Sequence, residues 1–197
     1  MIITIDGYSW LGKSYIGERL AIEMGIDYFP TGILVRFIAS ELSIDKRKKI
    51  AYEDAIKKAI KVLENTDIKN IKYQQLYTEK IECHLKMIAK FPFVTSELNK
   101  ILKKYIANKD IVLDGHFTFV LFPEAYRKFY FLSTIEKRAA LVSKVKKIDI
   151  GKAIEYIQYR DSFEENIVIP ENVHTIDPFL YATDELIRIM KEDIMNE

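Results

Sequence analysis

The chain has 197 residues, of which 49% are apolar and 30% are charged, so it can bury the core of one domain. Lys and Arg total 30 against 29 Asp and Glu, which excludes a global electrostatic field favouring nucleic acid or a membrane surface. The single cysteine, Cys83, excludes an internal disulfide and a cysteine-based zinc site, and we expect it to be a small buried hydrophobe. The sequence shows no signal-peptide pattern and no apolar run of membrane-spanning length, so the cytoplasm is the expected compartment.

The first predicted elements are a strand, a glycine-rich loop and a helix. The apolar run at residues 2–5 precedes residues 7–14, which fit the pattern G-x-x-x-x-G-K-[ST], and Gly25 ends the following helix. Two glycines let backbone N–H groups point inward, and the helix N-terminus adds positive charge, so the segment predicts a polyphosphate cradle. Lys13 is expected to reach the terminal phosphates and Ser14 to bind Mg²⁺; the alternative is a turn with a solvated lysine.

The remaining pattern alternates between strands and helices. Strands are predicted at residues 26–29, 111–113, 128–132 and 173–176; helices begin at Thr31 and continue through residues 43–109, with an interruption at Pro92. Apolar stripes at helical spacing comprise Ile16, Leu20 and Met24, then Ala55, Ile56, Ala59, Ile60 and Leu63, and then Ile81, Leu85 and Ile88. The alternation favours an α/β sheet with helices on both faces, in one core domain that carries helical insertions.

Asp114 and Gly115 follow the predicted strand at residues 111–113. An acidic residue at the carboxyl end of a strand beside a phosphate loop can hold Mg²⁺ directly or through water, although an Asp-Gly pair alone is typical of a turn. Together with the phosphate loop, Asp114 is a candidate for a second metal ligand. His116 follows directly, where open α/β sheets place their ligands.

The order and spacing of further segments carry a resemblance to a known family. These segments are residues 1–7, Thr31 with Gly32, Arg36, residues 78–89, 91–94, 114–115 and 120–125, Glu136, Arg138 with Ala139, and Arg160 with Asp161. In this order the chain resembles the cytidylate kinase family of nucleoside monophosphate kinases. The resemblance implies an α/β P-loop kinase fold, with a five-stranded parallel sheet flanked by helices. It implies a single domain over residues 1–197, with a core at 1–30 and 108–197, a small lid at 141–167 and a helical acceptor-binding region at 31–107.

The donor half of the family's site is present, which implies ATP and Mg²⁺ as cofactors. The resemblance places the nucleotide on the loop residues Gly7, Ser9, Trp10, Leu11, Gly12, Lys13 and Ser14. It makes Ser14 and Asp114 the metal ligands and gives Lys13 and Asp114 catalytic roles. Trp10 and Leu11 replace small residues, and Trp10 is expected either to pack on a neighbouring helix or to contact the ligand.

The acceptor half departs from the family. Arg36 stands at the position that holds the monophosphate, and the other candidates for substrate binding are Thr31, Lys86 and His116. The departures are Pro30 for an Asp beside the sugar, Lys86 for a cytosine-binding Ser, Thr95 for an Arg, and His116 with Phe117 for an Arg-Asp pair. Because a hydrogen-bonding site loses discrimination when its polar partners are missing, specific cytosine recognition is not expected.

The lid implied by the resemblance also has fewer arginines. Arg160 and Asp161 match the start of the family's run Arg-Asp-x-x-Asp-x-x-Arg, and Arg160 is expected to be its catalytic arginine. The alternative for Arg160 is an ion pair with Asp161 or Glu164 on an exposed helix. Arginines of the family are replaced at Leu141, Val142 and Ile167. The cations that can substitute for them in part are Arg138, Lys144, Lys146 and Lys147. The alternative for the three lysines is that they are ordinary solvated helix residues.

The sequence therefore predicts a phosphotransferase that resembles cytidylate kinase, uses Mg·ATP and acts by in-line transfer to a small phosphate- or hydroxyl-bearing acceptor. Two alternatives stay open: a nucleotide-binding protein without efficient transfer, and a kinase for a non-nucleotide metabolite. The expected partner is a small molecule, with no membrane and no clear nucleic-acid partner, and the oligomeric state is left open. His84 and His174 lack metal-ligand spacing and are expected to be surface or satisfied core residues.

Overall fold

The structure is a computed structural model that describes residues 1–42, 51–88, 90–162 and 168–196. Its strands are β1 (Ile2–Gly7), β2 (Asp27–Pro30), β3 (Ile111–Asp114), β4 (Arg127–Phe131) and β5 (His174–Ile176). Its helices are α1 (Lys13–Met24), α2 (Gly32–Glu41), α3 (Ala51–Glu64), α4 (Glu79–Ile88), α5 (Pro92–Ile106), α6 (Thr118–Leu121), α7 (Ile135–Lys146), α8 (Ile150–Asp161) and α9 (Thr183–Met195). The chain divides into two compact units, Met1–Pro30 with Lys109–Glu197, and Thr31–Asn108.

The first unit contains a five-stranded sheet in the order β2-β3-β1-β4-β5, and each pairing in it is parallel. β1 lies at the centre, where Ile3 pairs with Val112 of β3 and with Arg127 of β4. β1 and β3 are buried over nearly their whole length, as expected for parallel strands with both faces covered. The predicted α/β fold with a five-stranded parallel sheet is confirmed.

The main core of this unit joins the central strands to α1 and α9. Its buried members are Ile3, Ile5, Leu11, Ile16, Leu20, Ala21, Val112, Phe129, Phe131, Leu186, Ile187, Met190 and Ile194. The stripe predicted after the phosphate loop thus faces the sheet, with Met24 partly buried at its edge. Gly25 ends α1 as predicted, in a left-handed conformation with φ of 67°.

Gly7 lies at the carboxyl end of β1, opposite Phe131 of β4. A Cβ atom on residue 7 would lie 2.1 Å from the Phe131 carbonyl oxygen, and the φ of Gly7 is +133°. A side chain would therefore meet backbone that cannot move aside, and few L-residues adopt this φ. Glycine is the residue that lets β1 pair closely with β4 and still turn at once into the phosphate loop.

The second unit consists of helices and short 3-10 turns. α2 packs against α3 and α4, and α3 packs against α5. The predicted stripe on α3 is confirmed, since its buried members are Ile56, Ala59, Ile60 and Leu63. The break at Pro92 is also confirmed: Pro92 is the first residue of α5, where its missing N–H costs no helical hydrogen bond.

Several predictions about local structure need correction. The helical prediction for residues 43–109 is wrong between α3 and α4, where two short 3-10 turns, Ile68–Asn70 and Tyr73–Leu76, replace a continuous helix; residues 43–50 lie outside the described residues. Cys83 is exposed, not buried, because it lies on α4 away from the buried stripe that contains Ile81 and Ile88. Strand ends differ from prediction by one or two residues, because hydrogen bonding rather than apolarity sets them. In the described ranges, no helix is long and apolar enough to cross a membrane.

Candidate active site

The phosphate loop connects β1 to α1 and contains two left-handed residues, Trp10 (φ 66°) and Gly12 (φ 74°). Lys13 is the first residue of α1, and its Nζ donates to the carbonyl oxygens of Gly7 at 2.6 Å and Tyr8 at 2.7 Å. The lysine side chain thus folds back over the loop that precedes it. A cation held over a loop at a helix N-terminus is the arrangement that binds phosphate oxygens.

Asp6, the residue before Gly7, anchors the end of β1. Its carboxylate accepts hydrogen bonds from the Thr118 backbone N–H at 2.6 Å, the Thr118 hydroxyl at 2.6 Å and the Phe119 N–H at 2.9 Å. Burial raises the pKa of Asp6, and these hydrogen bonds oppose the increase. Asp6 therefore ties β1 to α6 and helps to fix the loop entrance, a role that the motif itself did not indicate.

The two predicted metal ligands converge on a third residue, Tyr28. The Tyr28 hydroxyl donates to Asp114 Oδ2 at 2.6 Å, and the Ser14 side chain lies close enough to the same hydroxyl to oppose the increase in its pKa. Burial, reinforced by the nearby Asp114 carboxylate, raises the pKa of Tyr28 well above its usual range, so the phenol stays a proton donor.

The chemistry of this group fits magnesium. Ser14 and Asp114 supply hard oxygen ligands, and Mg²⁺ is typically bound by one or two such groups together with waters and phosphate oxygens. Among the described residues, no cluster of three or more His, Cys, Asp or Glu side chains offers an alternative metal site. The sequence did not indicate Tyr28, although its position in β2, next to β3 in the sheet, explains the contact.

Trp10 packs on the helices that follow β4. Its ring meets Tyr156 of α8 edge to face, with 6.2 Å between centroids, and lies against the buried cluster of Ala139, Val142, Ala153 and Ile157. Lys146 Nζ lies 5.8 Å from the Trp10 ring and 4.9 Å from the Tyr156 ring. The structure thus contains the expected helix packing, and the Leu11 side chain is likewise buried in the main core. A nucleotide contact by Trp10 or Leu11 stays a prediction.

Arg138 and Asp161 form a buried ion pair between α7 and α8. The two terminal nitrogens of Arg138 donate to the two oxygens of Asp161, at 2.8 and 2.6 Å. The guanidinium also lies 4.9 Å from the Tyr8 ring of the phosphate loop. Arg138 is therefore engaged in holding these helices together beside the loop. Its partial substitution for the family's lid arginines stays a prediction. Lys144 and Lys147 are exposed.

Arg160 points to the phosphate loop. Its Nε and one terminal nitrogen lie 3.4 Å from the Ser9 hydroxyl oxygen. The predicted alternative of an Arg160–Asp161 pair is wrong, because Asp161 binds Arg138 instead. Glu164 and Ile167 lie outside the described residues. Arg160 therefore contacts the Ser9 hydroxyl of the phosphate loop, and its role in a lid stays a prediction.

Arg36 lies in the second unit, on α2, and is buried. It donates to Glu82 Oε1 at 2.6 Å and to the Leu76 carbonyl at 3.2 Å, and the Tyr77 ring lies 4.1 Å from its guanidinium carbon. Thr31 is the N-cap residue of the same helix and makes no side-chain capping bond. Lys86 belongs to α4, but its side chain lies outside the described part.

The three histidines and Thr95 lie on different elements of the fold. His116 is exposed two residues after Asp114 in the first unit, and Thr95 is exposed on α5. His84 is buried with no hydrogen-bond partner at Nδ1 among the described residues, so it is not the satisfied core residue that was expected, and burial lowers its pKa. His174 lies at the start of β5, where it contacts Arg127 and Asp193. Its position at the amino end of the strand separates it from the phosphate loop.

Solved structures share this fold. A gluconokinase from Sinorhizobium meliloti aligns with a TM-score of 0.55 at 11% identity, covering 99% of this chain and 91% of that chain. An uncharacterized protein from Eubacterium ventriosum aligns with a TM-score of 0.59 at 11% identity, covering 100% of this chain and 99% of that chain. At this identity the similarity shows the fold alone. The parallel sheet, with a phosphate loop between β1 and α1, defines an α/β fold of the P-loop class.

Sequence relatives specify the family. The family model described as Cytidylate kinase matches residues 3–191. The cytidylate kinase of Caldanaerobacter subterraneus subsp. tengcongensis is 26% identical, covering 98% of this chain and 93% of the relative. The cytidylate kinase of Caldicellulosiruptor saccharolyticus is 30% identical, and the alignment covers 81% of this chain and 77% of the relative. The chain belongs to the cytidylate kinase family, which confirms the resemblance, and it is a P-loop nucleotide kinase.

Proposed function

We propose that this chain transfers the γ-phosphate of ATP, with Mg²⁺, to a nucleoside monophosphate. The observation that carries the proposal is the convergence of Ser14 and Asp114 on the Tyr28 hydroxyl, because it brings the two expected metal ligands together beside the phosphate loop. The family match supports it, since it spans the donor segments and the acceptor segments alike.

The donor half of the site would bind the ATP phosphates through positive charge and inward-pointing backbone N–H groups. Ser14 and Asp114 would hold Mg²⁺, whose charge would offset that of the phosphates. Lys13 would exchange its bonds to the Gly7 and Tyr8 carbonyls for phosphate oxygens, which are stronger acceptors for a cation. The backbone N–H groups of the loop complete the cradle.

Transfer itself requires no nucleophilic side chain. In phosphoryl transfer the enzyme orients donor and acceptor in line and stabilises the charge that spreads over the transferring group. Arg160, held 3.4 Å from the Ser9 hydroxyl, is the residue proposed to meet that charge. The Arg138–Asp161 pair supports it by fixing the end of α8 to α7.

On the acceptor side, Arg36 is proposed to bind the monophosphate, and Thr31, Lys86 and His116 to contact the rest of the molecule. Cytosine is not proposed as the preferred base, because Lys86 and Thr95 replace the residues that resemblance associates with it. The alternatives of a non-catalytic nucleotide-binding protein and of a kinase for a non-nucleotide metabolite are not favoured, because the similar relatives are named cytidylate kinases and are covered over 93% and 77% of their lengths.

A coupled assay of ADP release tests the function. The purified chain is given Mg·ATP and each of CMP, dCMP, UMP, AMP and GMP, beside Lys13→Ala and the control Lys58→Ala, which changes an exposed lysine of α3. We expect acceptor-dependent ADP release by wild type and by Lys58→Ala. Lys13→Ala should weaken Mg·ATP binding by about ten- to a hundredfold, the value of a charge-assisted hydrogen bond. Equal calorimetric affinity for wild type and Lys13→Ala would overturn the donor site.

A further inference from the structure

Glu82 forms an ion pair with Arg36, the residue proposed to bind the acceptor's phosphate. The Glu82 carboxylate lies 2.6 Å from a terminal nitrogen of Arg36, while the other terminal nitrogen donates to the Leu76 carbonyl. The Tyr77 ring covers the guanidinium at 4.1 Å. Arg36 is therefore held in place by α2, by a backbone carbonyl and by an aromatic ring, with a carboxylate as its anionic partner.

The two members of this ion pair differ in exposure to solvent. The Arg36 side chain is 9% exposed, whereas the Glu82 side chain is 35% exposed. The Glu82 carboxylate is therefore the more hydrated partner and loses less when their bond breaks, whereas Arg36 would lose its contacts with Leu76 and Tyr77 if it moved. An arriving anion would displace the carboxylate and leave the guanidinium where it is.

A phosphate and the Glu82 carboxylate cannot share Arg36 without cost. A phosphate carries up to two negative charges and three acceptor oxygens, so it binds a guanidinium fork more strongly than a carboxylate does. The two anions repel each other when they lie side by side on one cation. The observed affinity for the acceptor is therefore reduced by the free energy needed to break the Arg36–Glu82 pair.

We propose that Glu82 competes with the acceptor's phosphate for Arg36 and so weakens acceptor binding. The proposal rests on the function proposed above, because it takes Arg36 as the phosphate-binding residue. It has an unusual consequence: removing the charge of a side chain in the acceptor site should tighten acceptor binding. A purely structural pair predicts the opposite result, since its loss would loosen Arg36.

The test compares Glu82→Gln and Glu82→Ala with the control Glu97→Gln. Glu97 pairs with Lys100 on the surface of α5, so the control makes the same charge change in the same unit. Acceptor KM and kcat are measured at saturating Mg·ATP with the monophosphate that wild type uses best. Glu82→Gln should lower KM by about tenfold, as expected for an interaction of the strength of one ion pair, with kcat changed much less. Glu97→Gln should match wild type, and thermal melting checks that each variant is folded.

Calorimetry distinguishes failure of the Glu82 proposal from failure of the proposed function. Calorimetric titration with CMP, UMP and AMP in the presence of Mg·ADP measures acceptor binding without turnover. If no monophosphate is phosphorylated but Glu82→Gln binds one more tightly than wild type does, the proposed function fails and the Glu82 proposal stands. If KM or the calorimetric Kd is unchanged or higher in both Glu82 variants, or if neither wild type nor variant binds a monophosphate, the Glu82 proposal is overturned.

A double-mutant cycle locates the effect. In the Arg36→Ala background, acceptor KM should rise above that of wild type, and adding Glu82→Gln should then produce no further tightening. A tenfold gain from Glu82→Gln without Arg36 would mean that the carboxylate repels the acceptor from elsewhere, which contradicts competition for Arg36.

Discussion

The Tyr28 hydroxyl of β2 donates a 2.6 Å hydrogen bond to the Asp114 carboxylate at the end of β3. The Ser14 side chain, near the start of α1, lies close enough to the same hydroxyl to influence its pKa. One buried phenol thus orients the two groups proposed to bind Mg²⁺. Partners that orient metal ligands in this way commonly influence metal affinity nearly as much as the ligands themselves.

Tyr28→Phe should therefore raise the Mg²⁺ concentration needed for tight nucleotide binding by about tenfold, while leaving the fold intact. Fluorescence of Trp10 is a suitable signal, because Trp10 is the single tryptophan of the chain and lies in the phosphate loop. Mg²⁺ is titrated into protein with ADP, so turnover is not needed. Tyr181→Phe, at an exposed site, is the control. Superimposable titrations of wild type and Tyr28→Phe would exclude the positioning role.

Gly7→Ala should destabilise the chain much more than Gly25→Ala. Both glycines have positive φ, but a Cβ at residue 7 would meet the Phe131 carbonyl at 2.1 Å, whereas one at residue 25 meets no atom within 4 Å. We expect a loss of about 3 kcal/mol or more in the free energy of unfolding for Gly7→Ala and about 1 kcal/mol for Gly25→Ala. Urea denaturation measures both, and equal losses would show that the close approach of β1 to β4 relaxes.

Arg160→Ala should lower kcat by about 10³ with a modest change in nucleotide affinity, because arginines that meet the transferring phosphate act chiefly in the transition state. Steady-state kinetics give kcat, and calorimetry with Mg·ADP gives the affinity. Lys152→Ala, an exposed cation on the same helix, is the control. Turnover of Arg160→Ala at the wild-type rate would show that its contact with Ser9 serves structure alone.

CMP and dCMP should be unexceptional acceptors, with kcat/KM within about a hundredfold of UMP and AMP, because the expected cytosine-binding residues are replaced. Parallel progress curves at equal acceptor concentration measure the ratio. A preference for CMP above that limit would mean that other groups read the base. In that case Lys86→Ala should be compared with wild type for CMP alone.

The candidate site was predictable where it is local in sequence. The phosphate loop is eight consecutive residues between an apolar strand and an amphipathic helix, so its residue types and their spacing are sufficient to indicate it. Asp114 could be found because it directly follows a short, fully apolar strand. The family resemblance added the acceptor and lid segments, whose order along the chain is also a property of the sequence.

The contacts that distinguish this chain depended on the tertiary structure. Tyr28 and Asp114 are separated by 86 positions, Arg36 and Glu82 by 46, and Arg138 and Asp161 by 23. Hydrogen bonds across such separations depend on strand order, helix packing and side-chain rotamers, which composition and periodicity do not encode. For the same reason an ion pair of Arg160 with its sequence neighbour Asp161 was a reasonable alternative from the sequence, whereas the packing of α7 on α8 pairs Asp161 with Arg138. The sequence alone thus determined the fold class and the donor loop, and only the folded chain decided which partner each charged side chain holds.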